Sequence, residues 1–287
     1  MSRASATAFV LNSKAYVLGG RIGADWSYPR DLHCYDPTTD TWNRLSDVPF
    51  EGRCNMTAVV CNNIAYCGGG FAGDYNSTDS YKKDWWAFDG TQWKQLSDLP
   101  TKYTDGLIAF TVDDKIYVGY GYNQQWTSEL FAYNPSTDTW TGTLYADIKD
   151  LRLGLGLACA QNADHIFAGL GFDTYNNNSW TEYIPSLSQW QKRKPLPSKG
   201  GLFYACTATT THVFLCGGRT FGGSLTSGKI HDDIWAYDIA IDQWSLCAHL
   251  PQPTENMIAF TIGNTPYFGL GENADGIRCN KLYKLKQ

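Results

Sequence analysis

The chain has no long apolar run, no cluster of basic residues, and no charged or Pro/Ser/Gly-rich linker. No stretch approaches the roughly 18 apolar residues that a membrane-crossing helix needs, and the N-terminus lacks the apolar core of a signal peptide. Lys and Arg number 23 against 28 Asp and Glu, for a formal charge of −5. Without concentrated cationic side chains little would displace phosphate counterions, so nucleic acid is not expected as a partner. The nine cysteines form no CxxC pair and show no metal-type spacing. The five histidines (His33, His165, His212, His231, His249) form no HExxH, and there is no GxSxG nucleophile elbow. No metal and no cofactor is therefore expected.

What is present is repetition. Six apolar segments end in an aromatic-x-x-Gly-Gly pattern or a near variant: AYVLGG (15–20), AYCGGG (65–70), IYVGYG (116–121), IFAGLG (166–171), VFLCGG (213–218) and PYFGLG (266–271). Their last glycines, at 20, 70, 121, 171, 218 and 271, are separated by 50, 51, 50, 47 and 53 residues. A period near 50 means one supersecondary unit copied around an axis. The 42 aromatic residues and 28 glycines fit short strands joined by tight turns.

The first unit divides into a strand A over 5–11, a turn at Asn12-Ser13-Lys14, a strand B over 15–20, a variable loop, a strand C over 31–36, a turn begun by Pro37, and a strand D opening at Thr41-Trp42. The aromatic ending strand C recurs as Tyr35, Phe88, Tyr133, Tyr183 and Tyr237, and strand D opens with Trp42, Trp93, Trp140, Trp190 and Trp244. In the second copy the gap between these two aromatics shortens from seven residues to five, because Asp89-Gly90 makes a tighter turn. The glycine pair allows close backbone approach, and the Tyr and Trp bury large rings between neighbouring sheets. Cys159 and Cys206 take the place that Ala holds in the other inner strands, and Cys67 and Cys216 lie in strand B; all four read as small apolar residues. The free thiols favour a reducing, cytoplasmic compartment, with a periplasmic or envelope location if a leader has been removed. Sequons at Asn55, Asn76 and Asn177 carry little weight.

Four meandering strands per unit and six units predict an all-β fold, a six-bladed β-propeller over 1–287 with repeats at about 5–49, 55–100, 106–148, 155–197, 202–251 and 257–287. The last copy stops after strand C, so the sixth blade is expected to have three strands or to close incompletely. Lys281, Lys284 and Lys286 would then protect its edge. The glycine pair, the strand-C Tyr and the strand-D Trp together resemble the kelch motif, although the third, fourth and sixth copies carry Tyr120, Leu170 and Leu270 in place of the first glycine. The phrases IAFTVDDKIYVGYG and IAFTIGNTPYFGLG resemble bacterial kelch proteins. The resemblance implies the propeller fold and no single function, since kelch propellers serve as ubiquitin-ligase adaptors, actin-binding proteins, sialic-acid mutarotases and an oxidase domain.

Function is sought where the copies differ. The B–C loops, 21–30, 71–83, 122–128, 172–178, 219–232 and 272–280, interleave aromatic and polar residues, among them Trp26, Tyr28, Tyr75, Tyr81, Trp126 and Tyr175. The residue after each terminal glycine, expected to point to the channel mouth, is Arg21, Phe71, Tyr122, Phe172, Arg219 and Glu272. This arrangement predicts one charged side and one aromatic side, with Tyr103, Asp105, Glu255 and Arg278 nearby. Arginine binds carboxylate through its planar fork, so the mouth is expected to bind an acidic protein partner or a small sugar-acid or carbohydrate ligand. The bland alternative is an Arg–Glu–Arg bridge that only ties blades together. A second functional expectation is a mutarotase or epimerase for a sialic-acid-like sugar, with Glu272 or Glu255 as acid/base. A third is an architectural interaction module. The chain is expected to act as a monomer.

Overall fold

The computed structural model describes the chain except residues 24, 126, 143–154, 164, 174, 225 and 287, and of residues 155, 172, 173 and 175 it describes the main chain. The chain divides into two compact units, Ser5–Tyr145, and Met1–Ala4 with Ala146–Gln287.

In the first unit the strands follow the order read from the repeat. The first sheet runs Thr7–Leu11, Lys14–Leu18, Leu32–Asp36 and Thr41–Arg44, antiparallel and in chain order. The second runs Thr57–Cys61, Ile64–Gly68, Trp85–Phe88 and Trp93–Gln95, and the third Ile108–Val112, Lys115–Gly119, Leu130–Asn134 and Thr139–Thr141. The second unit repeats the scheme with Leu155–Asn162, His165–Asp173, Trp180–Ile184 and Gln189–Arg193, then Ala205–Ala208, His212–Cys216, Asp233–Asp238 and Gln243–His249. Its last sheet has three strands, Ile258–Ile262, Thr265–Gly269 and Leu282–Lys284. The fold is thus an all-β six-bladed propeller of four-stranded antiparallel blades whose last blade has three strands.

Each unit keeps its apolar core between successive blades. Phe9, Leu18, Met56, Cys67 and Phe88 fill the first gap, and Tyr66, Trp85, Ile116, Val118 and Tyr133 the second. In the other unit Phe167, Trp180, Leu215 and Tyr237 form one core, and Phe214, Cys216, Met257 and Phe268 another. All nine cysteines are free thiols. Burial pushes Cys67 and Cys159 up to about 12, which keeps them protonated and inert.

The strand-C tyrosine does more than fill space. Its hydroxyl donates to the aspartate that closes the C–D turn: Tyr35 to Asp40 at 2.7 Å, Tyr133 to Asp138 at 2.7 Å, and Tyr237 to Asp242 at 2.8 Å. Each aspartate has a left-handed backbone (φ 53°, 52° and 52°), which Asp tolerates better than most residues. Two of these aspartates also reach the preceding blade. Asp138 Oδ1 accepts the Ser97 N–H at 2.9 Å while the Trp140 indole donates to the Ser97 carbonyl at 2.9 Å. Asp242 and Trp244 treat Lys194 in the same way, at 2.9 and 2.8 Å. The second blade, with Phe88 and the Asp89-Gly90 turn, has no tyrosine hydroxyl to contribute to such a clamp.

Strand B ends in a left-handed step. Gly69 has φ 66°, and Tyr120, Leu170 and Leu270, which stand in for glycine, keep φ of 61°, 65° and 57°. The second glycine is itself left-handed in five copies (Gly20 φ 84°, Gly70 90°, Gly171 85°, Gly218 82° and Gly271 89°), and in the third a Cβ on Gly121 would run into the Tyr103 carbonyl oxygen. Just beyond it the chain turns back on the segment before its own strand A. Cys54 and Phe71 exchange two backbone hydrogen bonds of 2.9 Å, and Asp105 with Tyr122 and Leu202 with Arg219 do likewise. Glu255 and Glu272 pair in the short ladder of Thr254–Glu255 with Glu272–Asn273. These bridges define two columns of residues, always seventeen positions apart, and the loop-end chemistry lies in them.

Candidate functional site

In the second unit, Arg219 occupies the column after the glycine, and its fork closes on Glu255. Arg219 Nε donates to Glu255 Oε2 at 2.7 Å and Nη2 to Oε1 at 2.6 Å, with both residues buried. The Glu255 hydrogen bonds and charge, with a smaller contribution from Glu272, raise the Arg219 pKa against the opposing effect of burial. Glu272 pairs instead with Arg278 at 3.2 Å, across the bridge that folds its own loop back. The sequence places Arg219 and Glu272 in one charged cluster, and Glu272 does act on Arg219, but the fork closes on Glu255. The ladder that sets Glu255 beside Glu272 and the return of the loop at Arg278 redistribute the pairs. Glu255 and Glu272, the two carboxylates expected as acid/base candidates, thus each hold an arginine. The main chain of Phe172 extends the strand His165–Asp173, and its side chain lies outside the described residues.

The first unit is different in kind. Phe71 follows its glycine but is fully buried, stacked on Tyr75 with ring centroids 4.1 Å apart and edge-on to Tyr81 at 5.3 Å. Tyr81 meets Tyr122 at 6.5 Å, and Tyr28, Cys54 and Tyr122 pack against this group. At its rim Trp26 meets the edge of Tyr75 at 6.4 Å, and the Arg21 guanidinium lies 4.4 Å from the Trp26 ring centre, a cation–π stack. Trp26 is presented by the Ile22–Ser27 hairpin, with its own φ at 57°, a strained value for a large side chain. Trp26 and Tyr75 are each 38 % exposed, the most exposed rings of the group. The loops are tied together at the Tyr75 carbonyl, which accepts from the Tyr81 hydroxyl at 3.1 Å and from Gln124 Nε2 at 3.2 Å. Tyr103 is half-buried beside Lys102, 5.2 Å from its ring centre. Trp126 lies outside the described residues.

Asp105 is the centre of this group. It is 1 % exposed; its Oδ1 accepts from Asn55 Nδ2 at 2.8 Å, and its Oδ2 has no hydrogen-bond partner. Burial raises its pKa to about 7, with only the Asn55 hydrogen bond opposing. The field of its carboxylate reaches Cys54 and the phenols of Tyr28, Tyr75, Tyr81 and Tyr122. A perturbed acid among convergent phenols and stacked rings makes this loop end the candidate site.

Asn55 and Cys54 did not emerge as site residues from the sequence. Asn55 stands in the left-handed position after the bridge (φ 55°), where Asn256 (φ 54°) and Phe203 (φ 61°) stand in other copies. Aligning the copies on the bridge, seventeen residues before the position after the glycine, would have revealed both columns.

Comparison with known proteins follows the same lines. The family profile described as the KLHDC2/KLHL20/DRC7 Kelch-repeats domain matches residues 1–169, and the Kelch motif matches 201–251. Kelch repeat and BTB domain-containing protein 1 of cowpox virus (strain GRI-90 / Grishak) is 25 % identical over 270 residues, covering 90 % of this chain and 44 % of its own length. Kelch-like protein terF of Aspergillus terreus is 28 % identical over 264 residues, covering 86 % of this chain and 56 % of its own. The chain therefore spans about half the length of the curated relatives it matches. The solved structure of YjhT superposes with a TM-score of 0.81 at 17 % identity, over 100 % of this chain and 98 % of that one, a likeness of fold.

Proposed function

The chain belongs to the kelch-repeat family, and on that premise we propose that it is a recognition propeller whose loop surface at Arg21, Trp26 and Tyr75 binds an acidic partner. Kelch propellers are binding modules, and here the observation that supports a contact surface is the exposed Trp26–Tyr75 pair with Arg21 stacked on it. Rigid rings give contact area at little cost in conformational entropy, and a guanidinium held flat on an indole is oriented before binding. A protein segment carrying Asp or Glu, or a small sugar acid, offers the carboxylate that Arg21 suits. Arg219, the second arginine expected in this role, is closed on Glu255. The isomerase alternative named Glu255 or Glu272 as acid/base; each is engaged by an arginine, and binding is the reading adopted.

Panning a displayed peptide library on the immobilised chain tests this directly. Enrichment of Asp- or Glu-containing peptides whose binding is lost in Arg21→Gln and in Trp26→Ala is the expected result. Peptides that bind both variants as well as the original chain would refute the surface. Thermal shift with sugar acids separates a small ligand from a peptide, since only a bound ligand raises the melting temperature.

A further inference from the structure

Two equivalent places in the repeat treat a buried acid in opposite ways. Glu255 stands in the bridge column of the sixth blade, and the arginine that holds it, Arg219, is the residue after the glycine of the fifth. Asp105 stands in the same column of the third blade, and the corresponding residue of the second is Phe71. The fold therefore has a position from which an arginine can neutralise this acid, and at Asp105 that position is aromatic. Asn55 supplies one neutral hydrogen bond, and Oδ2 is left without a partner. The charge of Arg21 reaches Tyr28, Cys54 and Tyr75, and the Asp105 carboxyl is raised by burial against the Asn55 hydrogen bond.

We propose that the aromatic group around Asp105 is a binding site for an alkylammonium ion, a lysine side chain or a free amine, whose N–H groups donate to Asp105 Oδ2 while its methylenes lie against the rings of Tyr75 and its neighbours. Three properties of the site converge on that chemistry. A carboxylate taken out of water is favourable only with an opposite charge or enough donors. Faces of Phe and Tyr attract cations. An ammonium brings both the charge and up to three donors, one of which fits the orphan oxygen. Entry is past the two exposed rings, Trp26 and Tyr75, and the occupant displaces the Tyr75 ring from its stack on Phe71. The inference stands whether or not Arg21 reads a partner's carboxylate.

The groups that feel the Asp105 charge are Cys54, Tyr28, Tyr75, Tyr81 and Tyr122, three of which also feel Arg21, and burial holds the thiol and phenols protonated at neutral pH. Near neutrality Asp105 is then the group that titrates, and with a pKa of about 7 its ionised fraction changes roughly tenfold between pH 6 and pH 8. Ammonium binding should tighten by that factor over the interval. The test is carbon NMR of the chain with labelled aspartate side chains, the Asp105 signal being the one missing in Asp105→Asn. Titration with n-butylammonium chloride should move that signal saturably and lower its midpoint, and n-butanol should not. Acetyl-lysine N-methylamide, whose side-chain ammonium is intact, asks whether the occupant can be part of a polypeptide; binding of n-butylammonium alone assigns the site to free amines. In Phe71→Arg the cation is built in, so the Asp105 midpoint should fall and the n-butylammonium response disappear. The proposal is overturned if n-butanol acts as n-butylammonium does. It is equally overturned if Asp105→Asn still binds n-butylammonium, or if neither amine produces a saturable change at pH 8.

Discussion

Replacing Asp105 by Asn should stabilise the protein, and by an amount that grows with pH. The carboxyl titrates near 3.8 in an unfolded chain and near 7 in the fold, because burial disfavours the charged form and only Asn55 opposes it. A group whose folded pKa is raised binds its proton more readily when folded. Between about pH 4 and 7 the folded state therefore carries more protons than the unfolded, and stability falls as pH rises through that window. Below it both states are protonated and the effect vanishes; above it the full penalty persists. A difference of about 3 units at roughly 1.4 kcal/mol each gives a destabilisation on the order of 4 kcal/mol at pH 8. Asparagine has the same shape, keeps an oxygen for Asn55 and carries no charge, so it removes the pH-dependent part. Its amide nitrogen would occupy the place of the unpartnered oxygen, which reduces the net gain to about 1–3 kcal/mol. Urea denaturation of both forms at pH 4 and pH 8 measures the effect. A higher midpoint for Asp105→Asn at pH 8, and no gain or a small loss at pH 4, are expected. A variant that is no more stable at pH 8, or whose gain is the same at both pH values, would refute the reasoning.

The other predictions concern the frame around the site. Breaking the buried pair from one side, by Arg219→Ala or Glu255→Ala, should cost about 3–5 kcal/mol, whereas Arg219→Met with Glu255→Leu together should cost much less; a double-mutant cycle in urea checks this. Asp138→Ala removes the acceptor of both the Tyr133 hydroxyl and the Ser97 N–H, and should cost about 2 kcal/mol against about 1 for Tyr133→Phe, read as differences in denaturation midpoint. Gly121→Ala places a Cβ against the Tyr103 carbonyl and should abolish soluble folded protein, scored by expression and circular dichroism, while Gly142→Ala, with open space at its Cβ, should not.

Much of the frame was legible because it repeats. The glycine-terminated strand B is seen as Lys14–Leu18 where 15–20 was expected, and strand C as Leu32–Asp36 within the expected 31–36. The turn aspartates were less legible: Asp138 is visible in one copy, but its second partner, Ser97, belongs to the blade before it. The same limit applied to the charges. Arg219, Glu255, Glu272 and Arg278 could all be named from the column after the glycine and its neighbouring loops. Their pairing depended on the register of Thr254–Glu255 against Glu272–Asn273, which no spacing in one copy reveals. Phe71 could be placed at the loop end, yet its complete burial under Tyr75 depends on how the 71–83 loop folds back. Periodicity discloses what the blades share; contacts between unlike residues of adjacent blades lie beyond it.

The buried acids differ in whether the chain supplies their counter-charge. Among the described residues three carboxylates are buried: Asp105, Glu182 and Glu255. Glu182 lies in an outer part of its blade and is held by Arg193, whose Nε and Nη2 donate at 2.8 and 2.5 Å, and by His165 at 2.5 Å. Glu255 has the fork of Arg219. In both cases the fold supplies the counter-charge, and removing either acid would leave an uncompensated arginine, so their purpose is fulfilled within the chain. Asp105 has a neutral amide and a set of rings instead. Such an arrangement lowers stability at neutral pH, and natural sequences retain that kind of cost where a site must be ready for something that arrives later. The rings around Asp105 are also the ones that continue to the exposed Trp26 and Tyr75, so the unsatisfied charge and the accessible surface belong to one continuous structure. It is this coincidence, rather than the presence of an acid or of aromatic loops alone, that makes the loop end of the first unit the place where recognition should be sought.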